Sequence, residues 1–177
     1  MKKIAFCGSY GTSKSALAKL LAEKLSISLI TGINQGYWRS IGIDNFEALP
    51  ESVLTVCQKH LLLNQIRHED LQEFDWVSDR SVIDFAAYNR VSSDMCGVDI
   101  IVYEELIKAR LRNYTHVVYF PLQFDFESEE IISDYEIQEK IDTLIICNLQ
   151  IWLPESNYLT VSGSVEEKLD LICNFVS

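Results

Sequence analysis

Glycine and proline are scarce in this chain, seven and three residues of 177. No linker, internal repeat or low-complexity segment is evident, so the whole of 1–177 is expected to form one domain. With 48% apolar residues, the composition is that of a compact globular chain large enough to bury a core. No apolar run approaches the ~20 residues a membrane span needs. The N-terminal residues, two lysines before an apolar strand, match neither a signal peptide nor a transit peptide. The five cysteines, at positions 7, 57, 96, 147 and 173, show no metal-ligand spacing and are odd in number. They are expected to be small buried hydrophobes in a reducing cytoplasm.

Positive charge is also in short supply. The net charge is −11, yet Lys2, Lys3, Lys14, Lys19 and Lys24 crowd the first 24 positions, where Glu23 is the only acid. A bulk negative field opposes docking on a nucleic-acid backbone. A small phosphorylated ligand arriving with Mg²⁺ is easier to accommodate, and a homodimer is compatible with this composition.

The richest stretch is Ile4-Ala5-Phe6-Cys7-Gly8-Ser9-Tyr10-Gly11-Thr12-Ser13-Lys14-Ser15, which runs directly into the helix-patterned segment 16–25. An apolar strand, a glycine-bearing loop and a Lys-Ser pair opening a helix bring backbone N–H groups and a helix N-terminus onto one anion. Gly8, Tyr10, Gly11, Thr12, Ser13, Lys14 and Ser15 are expected to surround a nucleotide's phosphates. In this reading Lys14 reaches the β- and γ-phosphates, and Ser15 ligates Mg²⁺. The P-loop pattern asks for glycine just before the lysine, and Ser13 stands there instead, either crowding the phosphates or donating a hydroxyl to them. The competing reading is an ordinary strand-to-helix turn with a surface lysine.

The remaining pattern alternates strands and helices. Strands are expected at 3–7, 27–31, 74–79, 115–120 and 157–161, and helices at 14–25, 50–74, 82–90, 99–113, 134–152 and from 164. The segment 33–42 reads as short, with a helix among its readings. Such alternation predicts a three-layer α/β P-loop NTPase fold, a five-stranded parallel sheet with helices on both faces. The expected buried faces are Ala16, Leu17, Leu20, Leu21 and Leu25; Leu54, Leu61, Leu62, Ile66 and Leu71; Ile137, Ile141, Leu144, Ile145, Leu149 and Trp152; and Leu169, Leu171, Ile172 and Phe175. Glu69 is expected on a wet face. Lys108, Arg110 and Arg112 complement the dipole at a helix end.

Asp79 closes the third strand and is placed to hold Mg²⁺, with Arg80 beside it to bind a transferring phosphoryl group. The alternative is a helix cap with a surface ion pair. Gln35, Trp38 and Arg39, beyond the second strand, and Asp84 and Tyr88, four residues apart on one helix face, are candidates for contact with the acceptor substrate. For Tyr37, Trp38 and Arg39, core packing and a solvated arginine are the alternative. The region 91–98 around Cys96 and Gly97 reads as a polar turn. The stretch 123–142 carries eight carboxylates against Lys140 alone and occupies the place of a nucleotide lid; the alternative is a solvated loop leading into the helix at 134–152.

Over almost its whole length the chain resembles the small P-loop kinases of the NadR-like and phage-type "AAA domain" group, relatives of thymidylate and deoxynucleoside kinases. The resemblance rests on GSYGTSKSALAKLLAEKL, VSDRSVIDFAAYNR, THVVYFP and the closing ISDYEIQEKID and YLTVSGSVEEKLDLI segments. It implies ATP and Mg²⁺ on Lys14 and Ser15, and Asp79 and Arg80 near the phosphates as catalytic groups with Lys14. It also implies an arginine where this chain has Gln35, with Arg39 four residues on, and a lid arginine where Ile132 stands. With Ser13 these are three departures, bearing on catalysis more than on fold. The implied activity is phosphoryl transfer from ATP to a nucleoside or nucleotide in phage or bacterial metabolism. The alternatives are a nucleotide-binding regulator on a degenerate kinase fold, and a kinase of a modified base in phage DNA.

Overall fold

The computed structural model describes residues 1–43, 49–92, 98–122, 132–154 and 157–177. The elements follow in the order β1 (Lys3–Cys7), α1 (Lys14–Leu25), β2 (Ser28–Ile30), α2 (Ile33–Ser40), α3 (Glu51–Asp70), β3 (Trp76–Ser78), α4 (Val82–Ser92), α5 (Val98–Leu111), β4 (His116–Tyr119), α6 (Ile132–Trp152), β5 (Tyr158–Thr160) and α7 (Val165–Val176). All strand pairs are parallel, in the order β2-β3-β1-β4-β5. Central β1 lies between β3 and β4, so the loops leaving β1 and β3 emerge from neighbouring strand ends. That edge is where open α/β sheets hold ligands.

Apolar residues run continuously along β1 because both of its faces are covered. Ile4 and Phe6 point into a core with Leu17, Ala18, Leu21 and Ala22 of α1 and Ile172 and Val176 of α7. Ala5 and Cys7 point the other way, into a larger core built from α3, α4, α5 and α6. The period of two along the strand thus divides the molecule into its three layers. Ser164 opens α7 with the expected capping box, its hydroxyl accepting from the Glu167 N–H and the Glu167 carboxylate from the Ser164 N–H.

Several sequence expectations are corrected. Ala16 and Leu20 are exposed, and Lys14, Ala18 and Ala22 take their places on the inner stripe of α1. Leu71 is 65% exposed because α3 ends at Asp70, short of the expected 74. Pro50 sits just before the first turn of α3, and its carbonyl accepts from Val53 and Leu54. Ile137 and Leu171 lie on outer faces. Conversely Glu69 is only 4% exposed, held by partners that helical periodicity cannot reveal. Arg110 is one of them, so it does more than complement a helix dipole. Cys7 and Cys57 are buried and Cys173 partly so, whereas Cys147 is exposed; all four are free. Cys96 and residues 93–97 of the expected 91–98 turn lie outside the described residues, while 91–92 belong to α4 and 98 to α5. Residues 123–131 of the acidic stretch and the Ile132 side chain also lie outside them, and 132–142 form the first part of α6. No helix among the described residues is long and apolar enough to cross a membrane.

Candidate active site

The loop after β1 turns because Gly8 can approach the neighbouring strand. A Cβ on Gly8 would stand 2.4 Å from the Phe120 carbonyl oxygen, and its φ of +148° belongs to glycine. Gly11, at φ +79°, has open space where a Cβ would be. Tyr10 and Gly11 form the exposed crest of the loop, while Ser9 is fully buried below them.

Ser13 adopts the left-handed conformation, φ 63° and ψ 14°, and makes no side-chain cap to α1. The glycine preference at this position is therefore conformational: the backbone must turn left-handed for Lys14 and Ser15 to enter the helix. A β-carbon there is strained by roughly 1–2 kcal/mol, part of which glycine would lose again through its freer unfolded chain. We expect Ser13→Gly to stabilise the protein by about 0.5–1 kcal/mol, read as a higher urea midpoint at unchanged slope.

Lys14 is nearly buried, and its ammonium donates to the Gly8 carbonyl at 2.8 Å, to the Ser9 carbonyl and to Thr12 Oγ1 at 2.9 Å. Burial pulls its pKa down to about 8, against the pull of nearby Asp84. Thr12 in turn donates to the Ser9 carbonyl at 3.0 Å. The loop is thus wrapped around the lysine head, with its carbonyls on the cation.

Asp84 closes the base of the loop. It is fully buried, and its carboxylate accepts from the Gly8 N–H at 2.9 Å, the Ser81 N–H at 2.7 Å and the Ser81 hydroxyl at 2.9 Å. Burial raises its pKa, while Lys14 and Arg80 oppose the rise. Asp84 was expected toward the acceptor; the structure ties it to the loop and to the first turn of α4, whose unpaired N–H groups want an acid. Beneath it the Cys7 thiol is pushed well above its ordinary value by burial and by the Asp84 charge, so it stays protonated and inert.

At the end of β3, Asp79 meets two hydroxyls. Ser15 Oγ donates to Asp79 Oδ2 at 2.6 Å, and Thr31 Oγ1 donates to the same oxygen. Thr31 was not anticipated. Its proximity follows from β2 pairing with β3, where Ile30 stands opposite Ser78, and only the strand order brings Thr31 beside Asp79. A hydroxyl and a carboxylate form a hard, all-oxygen donor pair suited to Mg²⁺, which keeps waters and phosphate oxygens as its other ligands. No group of three or more Asp, Glu, His or Cys side chains among the described residues could hold a metal by itself. The donor set therefore fits a cation that arrives with phosphates.

Arg80 is half-buried, its guanidinium carbon 5.2 Å from the centre of the Tyr88 ring. That contact holds the planar cation at the rim of the site. Burial raises the Tyr88 phenol above its ordinary value, with Arg80 opposing. On α2, Gln35 and Arg39 are exposed, while Tyr37 and Trp38 pack in part on the larger core with ring centres 5.2 Å apart. The structure thus gathers Gly8, Thr12, Lys14, Ser15, Asp79 and Asp84 around one loop, with Arg80 and Tyr88 paired alongside.

Residues 3–168 match the model of a protein family described as an AAA domain. No curated protein matches the sequence. Among solved structures, deoxyadenosine kinase from M. mycoides with bound dCTP superposes with a TM-score of 0.68 at 16% identity, over 98% of this chain and 97% of that one. Thymidylate kinase from Ehrlichia chaffeensis gives 0.66 at 13%, over 99% and 98%. NadR in complex with NAD and AMP-PNP gives 0.70 at 12%, over 99% of this chain and 49% of that one, so this chain spans about half of NadR. On the extent of the family match and the likeness of these folds, the chain belongs to this AAA-domain family and has the P-loop nucleotide-kinase fold.

Proposed function

We propose that the protein transfers the γ-phosphate of ATP to a nucleoside or nucleotide in an Mg²⁺-dependent reaction. The observation that carries this reading is the convergence of Ser15 and Asp79, 2.6 Å apart, beside the buried Lys14. A phosphate-binding loop alone serves many chemistries; a metal-competent hydroxyl and carboxylate beside its lysine favour phosphoryl transfer.

In this reading the N–H groups of the loop and the α1 N-terminus cradle the phosphate chain. The ammonium of Lys14 leaves the carbonyls of Gly8 and Ser9 for the β- and γ-phosphate oxygens. Mg²⁺ held by Ser15 and Asp79 would supply charge neutralisation across the phosphates. Asp79 keeps Thr31 as a partner when Ser15 turns to the metal. Arg80 stabilises charge on the transferring group, the role left to it by the departures at Gln35 and Ile132. Gln35, Trp38, Arg39 and Tyr88 lie on the side proposed for the acceptor. Deoxyadenosine kinase and thymidylate kinase, whose folds this chain shares, support a nucleoside or nucleotide as that acceptor.

The test is transfer of label from γ-labelled ATP across a panel of nucleosides and their monophosphates, with and without Mg²⁺. We expect one acceptor class to be phosphorylated only with the metal present. Nucleotide binding with no transfer to any acceptor would favour a nucleotide-responsive regulator instead.

A further inference from the structure

The turn from Asp79 to Val82 lies outside the β-ladder beyond the N–H of Asp79, which still donates to Ile30 at 3.1 Å. Its remaining backbone groups need partners, since a buried N–H or C=O left unpaired is rare in a native fold. Asp84 takes the Ser81 N–H. The Arg80 N–H is taken by Ser78 of β3 and the Val82 N–H by Tyr114, before β4, both within a group of side chains anchored on α3.

Gln65 of α3 is fully buried. Its amide nitrogen lies 3.4 Å from the Arg80 carbonyl, 2.9 Å from Ser78 Oγ and 2.9 Å from Glu69 Oε1. Ser78 Oγ also accepts from the Arg80 N–H at 3.3 Å. Glu69 Oε1 accepts from the Tyr114 hydroxyl at 2.7 Å, and that hydroxyl accepts from the Val82 N–H at 3.1 Å. Arg110 closes the far end, bridging Glu69 at 3.1 Å and Asp70 at 2.7 Å. The two amide hydrogens of Gln65 serve Ser78 Oγ and Glu69 Oε1, so Gln65 holds the Arg80 N–H through Ser78 and lies against the Arg80 carbonyl.

We infer that Gln65, braced by Glu69 and Tyr114, is a positioning residue that sets the peptide of Arg80 and so aims its guanidinium at the transferring phosphate. The inference rests on the phosphotransferase reading given above. It explains why a carboxylate is buried at position 69, where helix periodicity places a solvated one. The Gly8 side of the site is held separately by Asp84, so loss of Gln65 should disturb the aim of Arg80 and leave the phosphate loop intact. A displacement of about 1 Å at such a group lowers turnover by roughly 10²-fold.

The experiment compares the wild-type protein with Gln65→Leu and, as a second variant that leaves every α3 side chain in place, Tyr114→Phe. Expected for Gln65→Leu is a fall in kcat of about 10- to 100-fold with the Kd for ATP within about 3-fold of wild type. Hydrogen exchange should quicken at the Arg80 and Val82 amides while Gly8 and Ser81 keep their protection. Tyr114→Phe should quicken exchange at Val82 most. An unchanged kcat in Gln65→Leu, or an equal loss of ATP affinity, overturns the inference. If the wild-type protein transfers no phosphate, it is the phosphotransferase reading that fails; the exchange pattern then decides the anchoring alone, and unchanged protection at Arg80 overturns it.

Discussion

Lys14→Met is expected to abolish nucleotide binding and, at pH 7, to melt at a higher temperature than the wild-type protein. The loop holds an ammonium that burial has brought from 10.5 to about 8. A lysine whose folded pKa lies below its unfolded one burdens the native state at every pH below the folded value. Here the burden is about 3 kcal/mol. It fades as pH rises from about 8 toward 10.5, so the wild-type protein gains stability through that window and the methionine variant does not. Loss of the hydrogen bonds to Gly8, Ser9 and Thr12 offsets much of the gain, leaving a net rise of about 1 kcal/mol, or ~2–4 °C in midpoint. Activity moves the other way: removing one preorganised donor from a developing phosphate charge lowers kcat/KM by roughly 10²- to 10³-fold. Thermal melts at pH 7 and pH 9.5, paired with turnover, check both halves. A variant that melts lower at pH 7 would show that Lys14 is a structural strut.

Gly8→Ala is expected to be the most destabilising single-methyl change in the loop. The added Cβ meets the Phe120 carbonyl oxygen at 2.4 Å, a backbone atom at the end of β4 that cannot swing aside. The φ of +148° adds conformational strain. Together these amount to about 3–5 kcal/mol, and a midpoint lower by roughly 10 °C follows for a chain of this size. Gly11→Ala is the internal comparison. Nothing lies within 4 Å of its Cβ position and only its φ of +79° is strained, so about 1–2 kcal/mol is expected. Urea denaturation of the two variants measures the difference; equal losses would mean that the Phe120 contact relaxes easily.

The contrast between these glycines also marks what the sequence carries. Strand β1, the loop and α1 fall on the expected residues 3–7 and 14–25, because an apolar run, two glycines and a Lys-Ser pair are local signals that tertiary packing does not override. The five parallel strands were legible for the same reason. What lay beyond reading were features set by strand order and helix rotation. Thr31 reaches Asp79 only because β2 sits next to β3. Glu69 is buried because Arg110 and Tyr114, at the end of α5 and just beyond it, close over it across the fold beside Gln65 of its own helix. Leu20 and Ile137 look like core residues by period, yet their helices are turned to bury neighbouring positions. Asp84 and Tyr88 were correctly placed on one face of α4; that the Asp84 carboxylate grips Gly8 and Ser81 depends on a contact spanning 76 residues.

The measurement that tests the account most directly is calorimetric titration of the protein with ATP at pH 8, with and without Mg²⁺, in two buffers of different ionisation enthalpy. Phosphates at the loop should raise the pKa of Lys14 from about 8, so binding should take up a fraction of a proton, visible as a buffer-dependent heat, and should tighten with Mg²⁺. Lys14→Met should lose both the binding and the proton uptake. ATP binding that ignores Mg²⁺ and survives in Lys14→Met would contradict the assignment of this loop as the nucleotide-phosphate site.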